Sequence, residues 1–65
     1  MGVSFTPDIV QALRAAGCTF VRHGKGDHDI WFSPLTNRNF AVDGKTLSRH
    51  TANGTLIAAG LRKQF

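Results

Sequence analysis

The sequence predicts one α+β domain over residues 1–65: a helix, three antiparallel strands and a second helix, with both helices stacked on one face of the sheet. Three observations support this fold. Apolar residues recur at helical spacing near both ends of the chain, β-forming residues fill its middle, and short turns with glycine or proline divide that middle part. Because parallel strands need long crossover connections, the short turns predict antiparallel neighbours.

The first helix is expected over residues 7–16. Thr6 is predicted to be the N-cap, Pro7 suits the first helical position, and Gly17 suits the left-handed residue that commonly ends a helix. The apolar residues at helical spacing, which would form the buried face, are Ile9, Ala12, Leu13 and Ala16.

Three segments rich in β-forming residues predict the strands, at residues 18–23, 28–33 and 38–42. In the second strand, Ile30 and Phe32 share one face, which we expect to be the buried one. Trp31 would then lie on the other face, where it could contact a partner or a nucleic-acid base, or simply cover a thin sheet. Phe40 and Val42 share one face of the third strand.

The second helix follows a polar link at residues 43–45. Leu47 and Ser48 are typical of an apolar residue followed by an N-cap, and Gly60 is predicted to end the helix. Ala52, Leu56 and Ala59 recur at helical spacing between them. The tail at residues 61–65 has two alternatives, which are folding back through its apolar residues or fraying.

The composition is that of a small basic globular domain. The chain has 65 residues and a formal charge of +4, from eight Lys and Arg against four Asp. A domain of this size buries only about 60% of its unfolded surface, so its core must be packed economically. A basic domain is attracted to polyanions, of which nucleic acid is the commonest, although a basic surface that only maintains solubility is the alternative.

Cys18 is the only cysteine, which excludes an internal disulfide and a cysteine-rich zinc site and suits a reducing cytoplasm. The first eight residues lack the basic start and apolar run of a signal peptide. No apolar segment approaches the roughly 20 residues that span a bilayer. We therefore expect a cytoplasmic protein with no membrane partner.

The segment 24–32 contains the residues best suited to chemistry. Gly24 and Gly26 surround a lysine, and His28 follows at the start of an aromatic strand. Glycine permits backbone conformations closed to other residues, and imidazole can transfer a proton near neutral pH. His28 is therefore a candidate active-site residue, and a structural strand-end histidine is the alternative. Strict alternation puts His28 on the face of Ile30, so a bulge beside Gly26 is expected to expose it.

Several motifs together resemble the HicA toxin family, small bacterial messenger-RNA interferases also called YcfA-like. They occur in the family's order over nearly the whole chain: Leu13-x-x-x-Gly17, Phe20-Val21-Arg22, Gly26-x-His28 before an aromatic strand, His50-Thr51-Ala52-Asn53 and Leu56-x-x-Ala59-Gly60-Leu61. The resemblance implies a fold like a double-stranded RNA-binding domain, metal-independent RNA cleavage without a cofactor, and inhibition by a HicB-type antitoxin. The family's functional histidine corresponds to His28. The chain departs from the family at Asp27, where a serine or threonine is usual.

Metal-free RNA cleavage requires a proton taken from the 2′-OH, a proton given to the leaving oxygen, and cations near the phosphate. We expect His28 to transfer one of these protons, as base or acid, with Arg22 and Lys25 nearest the phosphate. His23 is either a second proton-transfer group or a solvated strand-end residue, and a metal site that includes it is not expected. The further RNA contacts expected are Gly26, Arg38, Lys45 and Arg49.

Two other functions are compatible with the same residues. One is a non-catalytic RNA-binding module that uses the basic surface without cleaving its ligand. The other is a protein-interaction domain whose ligand is an acidic partner, for which RNA association would be weak and insensitive to salt.

Overall fold

The computed structural model of the protein describes residues 4–65. The signal-peptide expectation concerned the first eight residues, and the first three of these lie outside the described range. The elements in chain order are α1 (Thr6–Ala15), β1 (Thr19–His23), β2 (His28–Ser33), β3 (Arg38–Asp43) and α2 (Arg49–Ala58). The strands form one antiparallel sheet in the order β1-β2-β3. The predicted α+β fold is therefore confirmed. No helix within residues 4–65 has the length and apolarity that crossing a membrane would require.

Both helices end at a glycine in the left-handed conformation, as predicted. Gly17 has a φ of +90° and Gly60 a φ of +86°. In each case the N–H of the next residue donates to the carbonyl five positions back, at 2.9 Å after α1 and 2.8 Å after α2. These bonds satisfy carbonyls that the helix leaves unpaired, and they turn the chain sharply out of the helix.

The two helix starts differ. The prediction that Thr6 caps α1 is wrong, because Phe5 occupies the N-cap position and no side chain caps it. The Thr6 hydroxyl instead donates to the Asp43 carbonyl at 3.0 Å and accepts from the Thr46 N–H at 2.9 Å. It thereby joins α1 to the link between β3 and α2. Ser48 is the N-cap of α2, as predicted, and its hydroxyl accepts from the N–H three residues on.

The hydrophobic core lies between the helices and one face of the sheet. It comprises Ile9, Leu13, Cys18, Trp31, Phe40, Val42, Ala52, Leu56 and Ala59. Phe40 and Val42 share one face of β3, as predicted, and the structure shows that this face is buried. The prediction that Ile30 and Phe32 form the buried face of β2 is wrong. Trp31 is only 4% exposed and pairs with Phe40 across the sheet, whereas Ile30 and Phe32 lie half-buried on the face away from the helices.

Ser33 connects the end of β2 to the end of α2. Its hydroxyl is fully buried, donates to the Ala59 carbonyl at 2.6 Å and accepts from the Leu35 N–H at 3.2 Å. Since α2 ends beside Ser33 and its start is linked by residues 44–48 to Asp43, which pairs with His28, its N-terminus lies toward the end of the sheet where β2 begins.

The C-terminal tail at residues 61–65 folds back on the domain, so the first of the two alternatives is confirmed and fraying is not observed. The Asn53 side chain accepts from the N–H groups of Gln64 and Phe65 at 3.2 and 3.1 Å and donates to the Phe65 carbonyl at 3.0 Å. The Phe65 ring then lies 5.0 Å from the Phe5 ring, between their centroids. Asn53 therefore has a structural role in holding the tail.

Candidate active site on the open face of the sheet

His28 is the first residue of β2, and its exposed side chain lies on the sheet face that the helices leave uncovered, which we call the open face. Trp31 and Ser33 occupy the core side of the same strand. Since side chains alternate along a strand, His28 shares the open face with Ile30 and Phe32. The expected bulge beside Gly26 is absent from the pairing of β2, and His28 is exposed because the face itself is open.

The turn before His28 depends on two glycines for different reasons. Gly26 has a φ of +65°, a conformation that side chains disfavour, although a Cβ there would meet no neighbour within 4 Å. Gly24 donates its N–H to the His28 carbonyl at 2.7 Å. A Cβ at Gly24 would lie 3.0 Å from that oxygen and 3.3 Å from Cδ1 of Ile30, so glycine leaves space beside His28.

This turn is joined to the link that follows β3. The Gly44 N–H donates to the Asp27 carbonyl at 2.7 Å, and a Cβ on Gly44 would lie 2.7 Å from the same oxygen. A side chain at position 44 would therefore force the two segments apart. Because of this contact, Lys25 and Lys45, which are both exposed, belong to adjacent loops at the end of the sheet where His28 lies.

A β-bulge in β1 places Arg22 on the open face. The register shifts between Phe20, which pairs with Trp31, and Arg22, which pairs with Ile30, and leaves Val21 as the extra residue. Arg22 is therefore a diagonal neighbour of His28 across the two strands, and such neighbours are typically about 7–8 Å apart. Its guanidinium donates to the backbone carbonyl of the next residue at 3.4 Å.

The structure does not bring His23 and His28 together. His23 pairs with Asp29, whose side chain lies on the core side of β2, so the two imidazoles are on opposite faces of the sheet. The His23 Nδ1 is 2.8 Å from Oδ1 of Asp29, and the His23 side chain is 86% exposed. Asp29 therefore contacts the imidazole of His23, although Asp29 is next to His28 in sequence.

Two further predicted RNA contacts, Arg38 and Arg49, lie apart from His28 in different ways. Arg38 pairs with Ser33, whereas His28 pairs with Asp43, so Arg38 lies at the other end of the sheet, about 17 Å away along the strand. Arg38 is thus not part of the arrangement around His28. Arg49 begins α2 and lies toward the His28 end, but in the helical layer.

The charges around His28 are mixed. Positive charge comes from Arg22, Lys25 and Lys45. Negative charge comes from Asp27, which precedes His28 in sequence, and from Asp43, its cross-strand partner. Within residues 4–65 the single ion pair is that between His23 and Asp29, so the three cations near His28 are not neutralised by direct contact. No three potential metal-binding side chains are grouped in this part of the chain.

Sequence reasoning missed Asp43, the direct cross-strand partner of His28. The aspartates next to His28 in sequence are Asp27 and Asp29, whereas Asp43 is brought alongside it by strand pairing. The signal was available, because closing the predicted turn at 34–37 pairs Ser33 with Arg38. Counting back five residues on one strand and forward five on the other then pairs His28 with Asp43.

A groove of about 610 Å³ lies elsewhere, between α1 and the C-terminal tail, and is lined in part by Ala12, Ala16, Leu61 and Phe65. None of the predicted site residues lines this groove. His28 is instead on an open surface, which suits contact with a macromolecule better than enclosure of a small ligand. The chain matches no family model, no curated protein and no solved structure.

Proposed function

We propose that this protein is the toxin of a HicA-type toxin–antitoxin pair, a metal-independent endoribonuclease that cleaves messenger RNA in the cytoplasm and is inhibited by a HicB-type antitoxin. The observation that supports it best is the exposed imidazole of His28 on the open face, with Arg22, Lys25 and Lys45 around it. The sequence resemblance assigns the functional role to the same histidine.

An exposed imidazole is well suited to this reaction. It can donate or accept a proton near neutral pH, and general acid–base catalysis of this kind contributes roughly 10²–10⁴-fold to a rate. The nearby guanidinium and ammonium groups would contact the phosphate and stabilise the charge that develops on it. No metal is needed for either contribution.

The shape of the open face suits a polymeric substrate. Ile30 and Phe32 continue from His28 along β2 and are half-buried, so part of each side chain is available to a ligand. A single RNA strand lying along this face would place riboses and bases over these apolar side chains and a phosphate at the His28 end. Aromatic and cationic side chains together on one surface are typical of single-strand binding.

A non-catalytic RNA-binding module is the second candidate, and one observation favours it. Cleavage requires two proton transfers, but the open face carries a single imidazole, because His23 lies on the other face. A binding module would use Arg22, Lys25 and Lys45 without requiring His28.

Incubating the purified protein with labelled single-stranded RNA in excess EDTA distinguishes the candidates. The endoribonuclease produces fragments that carry 2′,3′-cyclic phosphate and 5′-hydroxyl ends. Bound but intact RNA, with affinity that falls steeply as salt rises, would contradict the enzyme and support the module. Weak association that is insensitive to salt would contradict both and favour a protein-interaction domain.

A further inference from the structure

Asp43 is the carboxylate placed to act with His28. The two residues are direct cross-strand partners, so their side chains project from the same face of the sheet. In such pairs the Cβ atoms are about 4.5–5.5 Å apart. His28 and Asp43 could therefore reach the same ligand phosphate from neighbouring strands.

The Asp43 backbone and side chain are held in place by the surrounding chain. Its carbonyl accepts from the hydroxyls of Thr6 and Thr46 at 3.0 and 3.2 Å. Its Oδ1 accepts from the Lys45 N–H at 3.0 Å, while Oδ2 has no partner among the described residues. One carboxylate oxygen is thus fixed, and the other is left to accept a proton.

The two other aspartates near His28 are less suited to this role. The Asp29 carboxylate contacts His23 on the opposite face of the sheet. Asp27 belongs to the turn rather than to a paired strand, and its carbonyl is the acceptor for the Gly44 N–H. Asp43 alone of the three has both the cross-strand position and the correct face.

We infer that Asp43 is the second proton-transfer group of the proposed RNA cleavage, and this inference rests on the proposed function. The Asp43 carboxylate takes the proton of the ribose 2′-OH as its oxygen bonds to phosphorus. The bond between phosphorus and the 5′ oxygen breaks, and that oxygen receives the proton of the His28 imidazolium. The products are a 2′,3′-cyclic phosphate and a 5′-hydroxyl, and solvent restores the two protonation states.

The arrangement matches the geometry of the reaction. The attacking and leaving oxygens lie on opposite sides of phosphorus, so the acid and the base must approach from two directions. Residues on neighbouring strands of one face can do this, whereas His23 cannot because the sheet lies between it and His28. Lys45, whose N–H bonds to Asp43, follows in the adjacent loop and provides positive charge at the same end.

The first test is the substitution Asp43→Asn, which keeps an oxygen to accept from the Lys45 N–H but removes the base. We expect kcat to fall by about 10²-fold or more while KM changes little, because the loss is confined to the transition state. Asp27→Asn and Asp29→Asn are matched controls, since they remove the same charge nearby, and both should retain kcat. Urea unfolding of all three variants establishes that each is folded.

A substrate with sulfur in place of the bridging 5′ oxygen separates base from acid. A thiolate leaves without protonation, because thiols are far more acidic than alcohols. The defect of His28→Ala should therefore largely disappear on this substrate, whereas that of Asp43→Asn should remain.

Three other outcomes would contradict the inference, and each overturns a different part of it. Wild-type kcat for Asp43→Asn, alongside an inactive His28→Ala variant, would overturn the assignment of Asp43 and leave the proposed function intact. Rescue of Asp43→Asn by the sulfur substrate would show that Asp43 assists the leaving group, which overturns its role as base. Failure of the wild-type protein to cleave RNA would overturn the proposed function together with this inference.

Discussion

Trp31 and Phe40 are direct cross-strand partners, and both rings are buried on the side of the sheet that the helices cover. The Arg14 guanidinium from α1 lies 5.5 Å from the Trp31 ring centroid. Because side chains alternate along each strand, this one pair determines the face of every other residue in β2 and β3. Burial of Trp31 therefore leaves His28 and Asp43 on the open face.

Truncation of Trp31 should destabilise the protein far more than truncation of its neighbour Phe32. Trp31→Ala removes a ring from the core and should cost about 3–5 kcal/mol, a large part of the total stability of a domain of this size. Phe32→Ala removes a half-buried ring from the open face and should cost less. Urea unfolding followed by circular dichroism measures both, and a larger loss for Phe32→Ala would contradict the assignment of the faces.

The element order could be predicted from the sequence because its signals are local. Gly17 and Gly60 end the helices, and Ser48 begins the second, through bonds that reach only a few residues along the chain. Thr6 has the same local pattern as Ser48. The prediction failed for Thr6 because its hydroxyl bonds to Asp43 and Thr46, some 40 positions away.

The face of β2 was mistaken because Ile30, Trp31 and Phe32 are all apolar, so alternation alone cannot choose between the two sides. Pairing through the turn at 34–37 places Trp31 opposite Phe40, so the two rings must share a face, and in the structure that face is the buried one. The bulge at Val21 has no comparable signal, since Val21 and its neighbours are ordinary strand residues. The position of Arg22 on the open face could therefore not be predicted.

Two glycine substitutions should have opposite effects on stability. Gly54 lies inside α2, and a Cβ there would meet no neighbour within 4 Å, so Gly54→Ala should stabilise the protein by about 0.5–1 kcal/mol through helix propensity. Gly44→Ala should destabilise it, because its Cβ would lie 2.7 Å from the Asp27 carbonyl oxygen. Thermal unfolding measures both. Unchanged or increased stability of Gly44→Ala would contradict the close contact between the turn and the link after β3.

The cations near His28 should matter more for binding at that end of the sheet than Arg38 does. In a His28→Ala background, which prevents cleavage, Arg22→Gln and Lys45→Gln should each weaken binding of a short single-stranded RNA and reduce its salt slope by about 1. Arg38→Gln is the matched control and should leave both unchanged, since Arg38 is the cross-strand partner of Ser33 and therefore projects from the other face of the sheet. Fluorescence anisotropy at several salt concentrations provides the comparison. If Arg38→Gln lost as much RNA affinity as Lys45→Gln, the RNA would not be bound specifically at the His28 end of the open face.

The most direct measurement is the single-turnover rate of RNA cleavage by the wild-type protein and by His28→Gln, in excess EDTA. The exposed His28 side chain makes no hydrogen bond within residues 4–65, so the variant should fold and bind RNA normally. His23→Gln, purified in parallel, controls for contaminating nucleases and for the loss of an imidazole from the other face. We predict a fall of roughly 10²–10⁴-fold for His28→Gln and a wild-type rate for His23→Gln. Cleavage by His28→Gln at the wild-type rate would contradict the assignment of His28.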